Sequence, residues 1–442
     1  MRSLIIRGKH VVLPDGIRPA SIHVAGGRVA TVGAYDDSPT GVDEINAGNL
    51  VVLPGLVDTH VHINEPGRTD WEGFAHATRA AAAGGVTTLV DMPLNSIPST
   101  TTVDGLEAKR RAAGGQCHVD VGFWGGVVPG NVADLEPLAR AGVRGFKCFL
   151  SPSGVDEFSH VTETDLREAL PILAHLGLPL LVHAEMPALL REPSGDPHSY
   201  ATWLLSRPPQ AENKAIELLV QLAREYRTPV HVVHLASADA LPMLRAARAS
   251  GLPLTVETCP HYLTFASEDI RDGATLFKCA PPIRERAHRE GLWQALMSGD
   301  IDVVATDHSP APPSLKQIEE GNFVRAWGGV ASLQVGLAAV WTSAVRRGAS
   351  VADLANWLAE APARLAGLSG RKGIIARGAD ADLVFWDPEA ESTVDPANLY
   401  HRHPDSPYTG MAVRGRVVTT ILRGDVIFDR GECTGIPGGR FV

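Results

Sequence analysis

The chain has 442 residues and a formal net charge of −10, a length that suits a barrel of roughly 250 residues or more with an accessory domain. Hydrophobic residues at 44% and charged residues at 20% mark a soluble globular protein, and the acidic balance with no basic cluster excludes a nucleic-acid footprint. No run reaches the ~20 apolar residues of a membrane span, and Leu4-Ile5-Ile6, flanked by charges, is too short for a signal-peptide core.

Residues 1–50 carry alternating, strand-like pieces at Leu4–Ile6, Ser21–Val24 and Arg28–Val32, with a turn signal at Ala25-Gly26-Gly27. The pattern then changes. Short apolar strands are expected near 55–60, 86–92, 118–124, 143–150, 179–184, 229–235, 253–258 and 302–307. Helical patterns lie between them at Glu72–Ala83, Thr162–Leu176, Glu212–Tyr226 and Ala238–Ser250, and Ala331–Arg347 and Val351–Ala366 follow. This alternation predicts an α/β fold, a closed (β/α)8 TIM-like barrel over residues 51–370. An open doubly wound sheet is the alternative, but no Gly-x-Gly-x-x-Gly joins a strand to a helix. Strand-like style returns at Asp382–Trp386 and Arg416–Asp429, with turn signals at Arg371-Lys372-Gly373 and Arg423-Gly424-Asp425. One small β-sandwich domain is therefore expected from both termini, 1–50 plus 371–442. Five cysteines (117, 148, 259, 279 and 433) never form Cys-x-x-Cys and read as reduced thiols of a cytoplasmic protein.

Functional groups of such barrels sit at the C-terminal ends of the strands. The first barrel strand ends in His60-Val61-His62, where residues i and i+2 share a face, so two imidazoles project together. A polar pair at a strand edge would look the same in isolation. The other strand ends decide between the readings: Lys147 inside an apolar run, His183 before Ala184-Glu185, His234 at the end of its run, and Asp307-His308 after Val303–Thr306. Four histidines, a lysine and an aspartate on one rim point to metal ligation. Asp307 has a second reading as a helix cap, and His231 and His308 read as supporting residues. Burial favours the neutral amine of Lys147, which can form a Schiff base or capture carbon dioxide. Among so many metal-type side chains, a bridging carbamate is the better reading.

The pattern His60-x-His62, Lys147, His183, His234, Asp307 resembles the cyclic amidohydrolases of the amidohydrolase superfamily. Within that group, Asp58-Thr59-His60-Val61-His62-Ile63-Asn64-Glu65-Pro66-Gly67-Arg68, Glu257-Thr258-Cys259-Pro260-His261-Tyr262, Lys278-Cys279-Ala280-Pro281-Pro282-Ile283-Arg284 and Ala326-Trp327-Gly328-Gly329 are similar to the allantoinases. Dihydroorotases typically have Arg where this chain has Asn64, and hydantoinases usually have Gln at His261. Ala280 departs from the allantoinases, where Ser is common.

The resemblance implies hydrolysis of the cyclic amide of allantoin to allantoate by a binuclear metal centre with a bridging hydroxide. A hydantoinase or dihydropyrimidinase-like activity is the alternative. It implies His60, His62 and Asp307 on one metal, His183 and His234 on the other, and carboxylated Lys147 between them. Zinc is the first reading, with cobalt, manganese, nickel or iron also accepted by such donors. Asp307 would be the catalytic base, and Asn95, His261, Cys279, Ala280 and Gly328 would meet the substrate. The loop Asn64–Trp71 would cover the site. The resemblance also implies a homo-oligomer, a tetramer by analogy, with no nucleic-acid or membrane partner.

Overall fold

The computed structural model describes residues 3–37, 39 and 41–442; Met1 and Arg2, at the start of the stretch weighed as a signal peptide, lie outside the described residues. The N-terminal strands are β1 (Ser3–Leu13), β2 (Gly16–Ala25), β3 (Arg28–Gly33), β4 (Asp43–Asn46) and β5 (Val51–Pro54). The parallel strands that follow are β6 (Leu56–Val61), β7 (Val86–Asp91), β8 (Asp120–Phe123), β9 (Gly125–Gly126), β10 (Phe146–Phe149), β11 (Leu180–His183), β12 (Val230–Val232), β13 (Leu254–Thr258) and β14 (Val303–Val304). Strands β15 (Leu383–Thr393), β16 (Ala412–Leu422), β17 (Asp425–Asp429) and β18 (Glu432–Cys433) complete the chain.

The parallel strands run in the orders β6-β7-β8 and β9 through β14, every neighbour parallel. A parallel bridge from Val61 to His308 joins the two ends, and Gly125 N–H bonds to Gly145 O where β8 passes into β9. These are the eight expected barrel strands. Val57 on β6, Val90 on β7, Leu181 on β11 and Val233 just after β12 pack with Trp124 in one buried cluster. On the outer face, Phe74, Ala77, Ala80 and Ala81 of helix Phe74–Ala83 are buried against the barrel.

Helix ends differ from the expected bounds for local reasons. The first begins at Phe74 rather than Glu72, because Glu65 Oε2 accepts the Phe74 N–H. The stretch from Ala331 turns helical only at Gly336; before that, the Ser332 and Leu333 N–H groups donate to His308 Nδ1. Val351–Leu365 widens into a π turn over Asn356–Glu360, just where Pro362 has no N–H to give the carbonyl four residues back. Helices Val103–Ala113 and Arg286–Ser298 fall outside the expected segments.

The termini build one nine-stranded, mostly antiparallel sheet, ordered β18-β17-β16-β15-β5-β1-β2-β3 with β4 on β1. Its turns are the ones the glycines announce. Gly26-Gly27 take φ 60° and 79°, and Arg423-Gly424 take φ 49° and 84°, the doubly left-handed geometry of tight hairpins. Charge ties this sheet to the barrel. Buried Lys372 donates at 2.6 Å to Asp120 beside β7 and at 2.6 Å to Asp382, and lies 3.0 Å from Asp380. The lysine thus occupies the middle of a carboxylate cluster that could otherwise attract a cation. All five cysteines are free thiols, and among the described residues no helix is long and apolar enough to cross a membrane.

Candidate metal centre

Strand β6 delivers His60 and His62 to the rim, and the Nε2 atoms of both converge on Asp307 Oδ1, at 3.2 and 3.4 Å. Beside them, β11 and the end of β12 bring His183 Nδ1 within 3.0 Å of His234 Nε2. The His60 and His234 rings lie 5.4 Å apart, which makes the two groups one cluster. Its backbone is strained: His234 and Asp307 take φ 42° and 45°, and Asn64 and Asn95 both take 67°. Non-glycine residues hold such angles at a cost and concentrate at functional sites.

Lys147 is fully buried on β10 among Phe146, Cys148 and Phe149, and its Nζ has no hydrogen-bond partner. Burial pulls its ammonium down to about 8, although the charges of Glu257 and Asp307 oppose this. Burial and then the Glu185 bond act on His183 in opposite senses, with a net fall. His234 falls well below the ordinary imidazole value through burial and the neighbouring His183 and Lys147. Neutral imidazoles are ligands. Burial would raise Asp307, but His60, His62 and His261 outweigh it and hold the carboxyl at about 2.

This donor set fits a divalent cation. The nitrogens and carboxylate oxygen of His60, His62 and Asp307 lie within 4.8 Å of one another and are buried. His62 Nδ1, His234 Nδ1 and Lys147 Nζ are buried without partners, an arrangement that leaves polar atoms unserved unless something else meets them.

Three acids that lie within or beside the quoted motifs, without a role assigned to them from the sequence, support the cluster. Glu257, at the end of β13, accepts from His60 Nδ1 and from the His234 N–H at 3.1 Å, and meets His231 Nε2 at 3.1 Å. His231 therefore serves the carboxylate and not the cluster. Asp58 accepts from the His60 N–H and from Thr306 Oγ1 at 2.5 Å, joining the first and last barrel strands. Glu185 holds His183 Nε2 at 2.7 Å and is itself gripped by Arg207 Nε and Nη2. The signal for all three was an acid one or two residues from a rim histidine, or alone at a strand end.

A cavity of about 260 Å³ opens on the cluster, lined by His60, His62, His183, His234 and Asp307. Asn95, Cys279, Ala280 and Gly328 also line it, whereas His261 is buried outside the lining, with neither ring nitrogen bonded. Asn64 does not line it either; its amide donates to Pro310 O at 3.4 Å. Trp71 of the Asn64–Trp71 loop packs edge-on against Trp327 of the cavity wall, 4.9 Å between centroids. A larger cavity, about 590 Å³ between helix Gly336–Ala344 and the terminal sheet, holds none of the rim groups.

Residues 51–427 match the model of the Amidohydrolase family. The chain belongs to the amidohydrolase family. This amidohydrolase is 51% identical to an allantoinase of Streptomyces avermitilis over 99% of its own length and 98% of the relative's. It is 45% identical to an allantoinase of Arabidopsis thaliana, over 97% and 88% of the two chains. Among solved structures, an L-hydantoinase (dihydropyrimidinase) from Arthrobacter aurescens superposes with a TM-score of 0.95 at 32% identity, covering 100% and 99% of the two chains.

Proposed function

We propose that this amidohydrolase hydrolyses the ring amide of allantoin to allantoate. The observation that carries the reading is the convergence of His60 and His62 on Asp307 beside the His183–His234 pair, in a chain 51% identical to an allantoinase. His60, His62 and Asp307 would hold one cation, His183 and His234 a second, and a carbamate on Lys147 would join them. Zinc suits the imidazole and carboxylate donors. Such cations lower the pKa of water from about 15.7 to about 7 and polarise a carbonyl.

The chain's own residues handle the protons and the ring. Asp307, held ionised by its imidazole neighbours, accepts the proton that water loses as its oxygen bonds to the ring carbonyl carbon. It passes that proton to the ring nitrogen as the C–N bond breaks, leaving a carboxylate and an N–H. Glu257 and Glu185 hold the His60 and His183 rings in place throughout. Cys279, Ala280 and Gly328 line the cavity, and their backbone groups would meet the polar edge of the ring. The same reading divides the chain into 51–370 for the catalytic barrel and 1–50 plus 371–442 for the terminal β domain, with β5 leading into the barrel while it pairs in the terminal sheet, in a cytoplasmic homo-oligomer.

The test combines metal analysis with turnover of allantoin, 5-substituted hydantoins and dihydroorotate on one preparation. Metal-dependent allantoin hydrolysis is expected, lost in a folded Asp307→Asn variant. Preference for dihydroorotate, or near-full turnover by that variant, would sink the reading.

A further inference from the structure

Away from the metal-ligand cluster, the cavity has a second polar end that the mechanism leaves unused. Helix Tyr200–Ser206 brings Trp203 to the wall, and its indole Nε1 donates to Cys279 O at 2.9 Å. Two cations lie on that indole: Lys278 Nζ at 4.2 Å and Arg207 Cζ at 5.1 Å from the ring. All three residues line the cavity. Arg207 spends Nε and Nη2 on Glu185, and its Nη1 makes no hydrogen bond among the described residues. Lys278 is 5% exposed and bonds only to carbonyls, Val324 O at 3.2 Å and Ala326 O at 2.5 Å. Among the described residues no carboxylate contacts it. A buried cation without an anion is costly, and burial with the nearby Arg207 charge lowers this ammonium to about 8. The wall thus carries one positive charge beyond what its carboxylates offset, and guanidinium N–H groups with no acceptor.

We infer that Lys278 and Arg207, held against Trp203, form the subsite that receives the exocyclic ureido group of the substrate, by donating to its carbonyl oxygen. This rests on the proposed allantoin hydrolysis and goes further, to what separates allantoin from other hydantoins. A ureido oxygen is a strong neutral acceptor that serves cationic donors without a full charge. A methyl or aryl substituent would leave those donors unserved, the situation that gives a hydrogen-bonding pocket its selectivity. Lys316 provides the control. It pins the same loop through Trp327 O and Gly329 O, at 3.0 and 2.7 Å, but does not line the cavity.

The experiment measures kcat/KM for allantoin and for 5-methylhydantoin on the native metal-loaded enzyme, Lys278→Met and Lys316→Met. The native ratio is expected to exceed about 100 in favour of allantoin; a ratio near one overturns the inference without recourse to any variant. Lys278→Met is expected to cut that ratio by about 10- to 100-fold, as for loss of a charged hydrogen bond. Lys316→Met is expected to lower both substrates in proportion. An equal fall on both substrates in Lys278→Met overturns the subsite and makes Lys278 a brace for the loop. Weaker inhibition by allantoate with the substrate ratio unchanged also overturns it, assigning the cations to the product carboxylate. If the native enzyme opens 5-methylhydantoin but not allantoin, the functional reading itself falls.

Discussion

Glu257→Gln removes a charge from beneath the metal centre while keeping its shape. Oε1 takes two donors, His60 Nδ1 and the His234 N–H, and both can still bond to an amide oxygen placed there. The new amide NH2 would face His231 Nε2, whose ring can exchange tautomer because its Nδ1 lies 2.8 Å from Thr255 Oγ1, a group that donates or accepts. The loss is therefore charge assistance. A hydrogen bond to a charged group contributes about 1.5–3 kcal/mol, against about 0.5–1.5 for a neutral one, so two such bonds weaken by about 2 kcal/mol. Carried through His60 to the metal, that is about 30-fold in affinity, within the range for supporting carboxylates. The assay dialyses native and variant protein against graded chelator and reads bound metal by mass spectrometry, with near-UV circular dichroism confirming the fold. Metal retention within twofold of the native protein, with unchanged turnover, would refute the role given to Glu257.

Lys147→Ala is expected to lose metal and activity, with partial recovery on adding short carboxylates; unchanged metal content would count against the carbamate. Lys316 is buried with its ammonium lowered to about 7, chiefly by burial. Its folded value lies below its unfolded one, so the unfolded chain binds the proton more tightly between about pH 7 and 10, and this lysine's penalty fades as pH rises. Native stability should therefore gain on that of Lys316→Met over that window, by at most about 4 kcal/mol, as denaturant titrations at several pH values can check. Phe74 is fully buried and packs edge-on against Phe123, 6.3 Å between centroids. Phe74→Ala should cost about 3–5 kcal/mol in unfolding free energy, and a loss under 1 kcal/mol would argue against that packing.

The barrel and the terminal strands could be read from the chain because their signals are local. Apolar runs of strand length alternate with helical periods, and Gly26-Gly27 and Arg423-Gly424 mark turns that need left-handed backbone. His60, His62, His183, His234 and Asp307 stood out for the same reason, as metal-type side chains at the ends of apolar strands, and Lys147 as a charged side chain inside one. Helix bounds were less legible, since the side chains of Glu65 and His308 take backbone N–H groups 9 and 24 residues further along the chain. Tertiary structure alone decided which groups meet. His231 turns to Glu257, His261 lies outside the cavity lining, and Asn64 braces Pro310. Glu185, Arg207 and Lys278 acquire their parts only when helix Tyr200–Ser206 and the loop at Lys278 meet over the barrel. Strand ends are set by neighbours in the chain, whereas the partners that Glu257 finds in His60 and His231, and Glu185 in Arg207, lie 22 to 197 positions away. Only closure of the barrel brings those residues within hydrogen-bond reach.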